Sequence, residues 1–339
     1  MSFVDLAPMD VGGRLTRLRA LLDGAGCDGL VVTSLVNIRY LTGFTGSAGV
    51  LLVLPDEVVL LSDGRYATQA AEQLGQVGVE ARIEIGSPEE QRASGAAAGK
   101  GVGRLGLEAG HATWAQQRLF ATEWFPGEEL VATTGLVEGL RRTKDLGEVA
   151  RIEHASAIAD GALAEVLPRL ADGPTEEEVA AELEYRMRLA GASGPSFETI
   201  VASGPNSAKP HARPTSRKVE PGELVVIDFG ALVDGYHSDM TRTVCVGEPT
   251  DPELRKAVGV VAESQAAGVA AGRAGVDARA VDQACRAIIA EAGWADAFVH
   301  GTGHGVGLDI HEPPILGKTA TATLDTAFVV TVEPGIYLP

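Results

Sequence analysis

The chain has 339 residues, 45% of them hydrophobic, and a formal net charge of −18 from 28 basic and 46 acidic side chains. That length favours two domains, and the acidic balance argues against nucleic acid or an anionic membrane surface as a partner. Cys27, Cys245 and Cys285 form no C-x-x-C pair. The first residues lack the basic and apolar regions of a signal peptide, and no apolar stretch is long enough to span a bilayer, so the expectation is a cytoplasmic protein.

Leu15, Leu18, Leu21 and Leu22 have helical spacing and predict a helix over 13–24, ended by Gly24 and Gly26. "CDGLVVTS" reads as a buried strand, and "AGVLLVLPDEVVLLSDGRY" as two strands split at Pro55-Asp56. A helix at 67–75, a strand at 104–110 and a helix at 113–123 follow. This alternation predicts an α/β domain. The texture changes over 138–150, where a charged start leads into one long amphipathic helix. The boundary is placed near residue 142, giving domains 1–141 and 142–339. Thr175 and Glu178 stand in capping-box spacing at the head of a second helix. Strands are expected at 196–204, 223–233 and 236–247, then helices at 251–272 and 277–292. A glycine-rich stretch at 301–307 and a last strand over 327–339 complete an α+β domain.

The chemistry gathers in that second domain. Asp228 follows Val225, Val226 and Ile227 in a run apolar enough for a strand buried on both faces. Asp239 arrives after the turn. A turn centred on Val233-Asp234 sets the two acids opposite each other, and one centred on Asp234-Gly235 sets them diagonally. Either register puts both on one face. Two ionised carboxylates close together in a buried sheet repel unless a cation or a proton lies between them. The alternative is a water-exposed pair beside the turn. "FVHGTGHGVGLDIHEPP" (298–314) holds His300, His304 and His311, and its alternate glycines let backbone approach closely. It has neither P-loop nor H-E-x-x-H spacing. A lone histidine here would read as packed core, whereas three within twelve positions point to a site. Glu333 ends a β-branched run, and alone it reads equally as a salt-bridge partner. Together Asp228, Asp239, His304 and Glu333 are oxygen-rich with one imidazole, which suits manganese, cobalt, iron or zinc. A carboxylate shared by two cations would give a two-metal arrangement.

The stretches "NIRYLTGFTGSAG", "SDGRY", "IVASGPNSAKPHARPT", "VVIDFGALVDGYHSDMTRTV", "HGTGHGVGLDIHE" and "VTVEPGIY" resemble the creatinase/prolidase/methionine aminopeptidase family of pita-bread metallopeptidases, and within it the bacterial Xaa-Pro aminopeptidases and dipeptidases. The resemblance implies a creatinase-like N-terminal domain, a pita-bread catalytic domain and a homodimer. It implies two divalent metals, with manganese expected. Asp228 would chelate one metal, Asp239 would bridge both, and His304 and Glu333 would be further ligands. His211, His300 and His311 would be the catalytic histidines of the pocket, acting on proline-containing peptides. The expected activity is that of an Xaa-Pro aminopeptidase, with the Xaa-Pro dipeptidase (prolidase) as alternative. A metal-free amidinohydrolase and a non-catalytic pita-bread module are the rivals from other classes. The family also uses a second glutamate in a "G-x-R-I-E" segment, and this chain stops at Pro339 before it. The implied expectation is a catalytic domain incomplete at its C-terminus, with at most one tightly held metal and weak or no activity.

Overall fold

A computed structural model describes residues 6–338. The chain divides into two compact units, Pro8–Arg141 and a second that begins at Arg142 and is joined by Leu6 and Ala7.

In the first unit, strands β1 (Gly29–Val32), β2 (Val50–Val53), β3 (Val58–Ser62), β4 (Arg82–Ile85), β5 (Arg104–Glu108) and β6 (Glu129–Thr133) form one mixed sheet in the order β4-β3-β2-β1-β5-β6. Its helices are α1 (Arg14–Leu22), α2 (Leu35–Thr42), α3 (Ala67–Gln76), α4 (Pro88–Gly99), α5 (Trp114–Leu119) and α6 (Leu136–Arg141). Val31, Leu52, Val59, Leu61 and Leu107 pack with Phe120, Trp124 and Phe125 into one apolar core. Sequence periodicity pointed to neither α2, α4 and α6 nor β4 and β6. In α4 the reason is compositional. "PEEQRASGAAAG" has no apolar stripe, and its start is marked by the Ser87–Glu90 capping box and Pro88.

The second unit opens with α7 (Leu146–Val166), which is not continuous with the charged segment before it. Asp145 caps it reciprocally with Glu148. Just ahead, Thr143 bridges to Phe328 and the Lys144 amide donates to Ala327 O at 3.0 Å. Those pairings hold the segment extended and break the single long helix expected. Then come α8 (Glu176–Leu189), β7 (Gly194–Pro195), β8 (Ile200–Ser203), β9 (Leu224–Phe229), β10 (Ala231–Val233), β11 (Tyr236–His237) and β12 (Met240–Cys245). Helices α9 (Pro252–Ala271) and α10 (Ala278–Glu291) precede β13 (Gly303–Gly305) and β14 (Glu312–Leu316).

Strands β8, β9 and β12 form an antiparallel sheet in the order β12-β9-β8. Val225, Ile227 and Phe229 on β9 are buried with Ile158, Leu163 and Leu183 of α7 and α8. The alternate residues Leu224, Val226 and Asp228 are only partly buried. The strand is therefore fully buried on one face only, not both, and the acid belongs to the other face. Asp234 and Gly235 both take positive φ (45° and 74°), the signature of a two-residue type I′ hairpin. This is the Asp234-Gly235 register. Thr241 pairs with Asp228, and Asp239 lies diagonally on the same face. The hairpin bends at Gly230, where an added Cβ would fall 1.9 Å from the Ser238 carbonyl oxygen.

The final strand is shorter than expected. Val306 N to Val329 O, Thr331 N to His304 O and Glu333 N to Thr302 O lay residues 329–333 antiparallel beside 302–306. Pro334, without an amide hydrogen, follows directly. Val332 turns into the cluster of Cys285, Ile289 and Phe298 beneath α10. Its neighbours Thr331 and Glu333 therefore face the opposite way, by the two-residue period of an extended chain.

Candidate metal centre

Three elements bring ligand atoms together. Asp239 comes from the bend before β12, His304 from β13 and Glu333 from the end of the last extended segment. One side-chain ligand atom from each lies within 4.8 Å of the other two. His304 Nε2 is 3.4 Å from Asp239 Oδ2 and 3.2 Å from Glu333 Oε1. The backbone around His304 is pinched from both sides. A Cβ on Gly303 would meet the Thr331 carbonyl oxygen at 2.1 Å, and one on Gly305 would meet Pro313 O at 2.5 Å. Glycine is needed at both positions for that reason.

The His304 tautomer follows from its neighbours. Nδ1 is 2.9 Å from the Gly305 carbonyl oxygen, which can only accept, so Nδ1 carries a proton and Nε2 faces the carboxylates. A carbonyl that holds Nδ1–H in this way leaves Nε2 as the nitrogen free to bind a metal. Burial disfavours the imidazolium, but Asp239, Glu333 and the Gly305 carbonyl outweigh it and raise its pKa to about 10. Glu333 is partly buried, which acts to raise its pKa. Its hydrogen bonds from His304 and Thr331 nevertheless hold its pKa below the ordinary carboxylate value.

Asp228 stands beside this trio rather than within it. Its Oδ1 is buried and has no hydrogen-bond partner. Burial, then the charge of Asp239, push its pKa up to about 7, with Thr241 acting the other way. A buried acceptor left unpaired costs about 1–3 kcal/mol, more when charged. Three carboxylates with one histidine carry excess negative charge, and the orphaned oxygen lies on the same strand face as Asp239. This donor set fits a divalent cation, with Asp228, Asp239, His304 and Glu333 as the groups to hold it.

The other three expected histidines occupy different surroundings. His311 is exposed but stacks edge-on against His304, with ring centroids 4.3 Å apart. Partial loss of hydration around the ring and then the His304 charge lower its pKa, and His211 contributes least in the same direction. His300 donates from Nδ1 to Gly301 O at 2.7 Å and presents Nε2 to the Tyr337 hydroxyl at 3.1 Å. Burial, then Asp228 and Glu333, push the Tyr337 pKa up to about 12, so its hydroxyl keeps its proton. His211 lies exposed in the loop after β8.

Two site residues went unnoticed in the sequence. Thr331 Oγ1 donates to Glu333 Oε1 at 2.7 Å and accepts from His304 N at 3.0 Å. Thr241 stands directly opposite Asp228 on the neighbouring strand and acts to lower its pKa. Each threonine lies two residues from an acid, Thr331 from Glu333 and Thr241 from Asp239. That spacing places each on the same strand face as its acid, and it was the available signal.

An α/β unit, then an α+β unit in which carboxylates and an imidazole converge, defines a class of metal-dependent hydrolases. Metallopeptidase family M24 is matched over residues 150–339, and the creatinase/prolidase N-terminal domain over residues 14–143. The chain belongs to metallopeptidase family M24, with a creatinase-type N-terminal domain ahead of a pita-bread domain. It is 41% identical to the uncharacterized peptidase YqhT of Bacillus subtilis, over 96% of this chain and 91% of that one. An Xaa-Pro dipeptidase from Bacillus anthracis shares 38% identity and a TM-score of 0.92, covering 97% of this chain and 91% of its own. An X-Pro aminopeptidase from Thermotoga maritima shares 32% identity and a TM-score of 0.86, covering 95% and 91%. Among the described residues, no helix is long and apolar enough to cross a membrane.

Proposed function

We propose that this chain is an Xaa-Pro dipeptidase of the prolidase type, hydrolysing the bond between an N-terminal residue and a C-terminal proline. The observation that carries the hydrolytic reading is the convergence of Asp239, His304 and Glu333 with the orphaned oxygen of Asp228 beside them. The dipeptidase reading is preferred to the aminopeptidase reading expected from the sequence. It is supported by the stronger likeness to the Bacillus anthracis dipeptidase than to the Thermotoga maritima aminopeptidase.

Asp228, Asp239, His304 and Glu333 would hold the metal, and manganese is proposed because oxygen donors dominate the set. Bound there, a divalent metal supplies Lewis acidity and an activated water. The chain's own residues do the rest. His304 is held in its ligand tautomer by Gly305, and Glu333 is oriented by Thr331. His311, with its pKa lowered, is neutral near pH 7 and can donate a hydrogen bond to the oxygen of the carbonyl under attack. His300 and His211 are proposed to line the same pocket. The wider reading takes a homodimer as the assembly. It takes the cytoplasm as the compartment, in keeping with the free thiols of Cys27, Cys245 and Cys285.

The test is hydrolysis by the manganese-loaded chain of Ala-Pro, Ala-Pro-Ala and Ala-Ala. The proposal expects Ala-Pro to be cleaved at least about 10-fold faster than either other peptide, as kcat/KM. Equal cleavage of the tripeptide returns the chain to the aminopeptidase reading. Cleavage of Ala-Ala alone removes the proline specificity.

A further inference from the structure

We propose that Glu176 is a positioning residue that closes the 203–215 loop and so sets His211 for the substrate. This rests on the reading of His211 as a pocket histidine. Glu176 is the first residue of α8 and is fully buried. One carboxylate oxygen accepts from Ser203 N at 2.7 Å and Ser203 Oγ at 2.8 Å. The other accepts from Thr215 N at 3.0 Å and Thr215 Oγ1 at 2.6 Å. Asn206 Nδ2 reaches both oxygens at 3.1 Å.

A single side chain thus ties both ends of the loop and one residue within it. The segment between, "GPNSAKPHARP", carries three prolines and is irregular after Ala208. Its first end continues from β8, whose Ile200 pairs with Asp228. The position of His211 relative to the metal ligands therefore depends on this closure. The helix itself does not, because Val179, Leu183 and Met187 anchor α8 in the core. The N-terminus of α8 also favours the negative charge held there.

Glutamine is the discriminating replacement. An amide must turn its NH2 toward one of two backbone N–H donors, Ser203 or Thr215, and so releases one end of the loop. In Glu176→Gln, hydrogen exchange over residues 203–216 should quicken by about tenfold or more. The metal content should match wild type, and kcat/KM on Ala-Pro should fall by roughly 10²-fold, as for a misplaced catalytic group. Thr215→Val, on an exposed residue away from the α8 core, should move both readouts the same way by less, and it serves if the glutamine variant folds poorly. In a His211→Ala background, Glu176→Gln should add little further loss, because the two act through one contact. Unchanged exchange over 203–216, or an undiminished loss in the His211→Ala background, would overturn the proposal. A wild type that cleaves no Xaa-Pro peptide would overturn the dipeptidase reading instead, while the exchange measurement still decides whether Glu176 closes the loop.

Discussion

Glu108 and Asp228 are carboxylates at the ends of strands in the two units, and their surroundings differ in one respect. Glu108, at the end of β5, accepts from Thr33 N at 2.6 Å, Ser34 N at 2.9 Å and Asn37 Nδ2 at 2.7 Å. Asp228, at the site, has one buried oxygen with no donor and a like charge beside it. The first carboxylate is a structural clasp whose hydrogen bonds are complete within the fold. The second is incomplete until something positive arrives. Each has a carboxylate oxygen shut off from water, so it is the supply of donors that separates a fold-holding acid from a candidate metal ligand.

The comparison breaks most decisively at Asp239. Asp239→Asn keeps the shape and removes a charge, so hydrolysis should fall below detection while the metal-free protein melts close to wild type. Full activity in that variant would remove Asp239 from the site. Next is His311→Ala. Losing one donor to a developing oxyanion costs roughly 10²–10³ in kcat, or about 3–4 kcal/mol, with KM little changed. A packed, non-catalytic His311 would instead show a lowered Tm and near-normal kcat. Thr331→Val is milder, since it loses the bonds to Glu333 and to the His304 amide. Metal affinity should weaken by about 10–100-fold, the usual cost of an outer-shell partner. Titration with a competing chelator reads that number.

Acid pKa shifts sharpen the contrast in another way. In the metal-free protein, the pKa of His304 is raised to about 10 and that of Asp228 to about 7. Both groups therefore bind more protons folded than unfolded. The His304 contribution is present below pH 6.5 and is lost as pH rises toward 10. Asp228 acts in the same direction, costing stability as pH rises from about 4 through 7. Chelator-treated protein should melt at a lower temperature at pH 9 than at pH 6. Bound metal should remove much of that slope, because it takes the place of the protons. A flat Tm profile without metal would contradict the charge arrangement. The smallest effect on function is expected at Glu108. Glu108→Gln should cost about 1–3 kcal/mol of stability, because its oxygen can serve Thr33 N and Ser34 N only by facing its NH2 toward the Asn37 Nδ2 donor. Metal content and kcat should not change.

Much of the candidate metal centre was legible because strand geometry is periodic. Asp228 and Asp239 share a face in either register, so the turn did not need to be known. The spacing of His300, His304 and His311 marked the third element, and the family resemblance supplied roles for all of them. The half-exposed face of β9 was not legible. Val226 and Leu224 are as apolar as Val225 and Ile227, and only the packing of α7 and α8 on one side tells the faces apart. The break at 142–145 depends on pairing with Ala327 and Phe328, far along the chain, which no local pattern records. Helix α4 and strands β4 and β6 are short or alanine-rich and carry little periodic signal. Glu176 was visible only as an acid in the first turn of α8, between the Thr175 and Glu178 of the capping box. Its six bonds to the 203–215 loop are tertiary.

If the donor-poor acids hold a metal, calorimetric titration of metal-stripped protein with manganese will show it. The measurement is made on wild type, Asp228→Asn and Asp239→Asn, each in two buffers of different ionisation enthalpy. The account predicts binding by wild type with proton release at pH 7, because His304 must give up its proton to become a ligand. It predicts strongly weakened binding in both variants. Equal affinity in all three proteins, or binding without proton release, would contradict it.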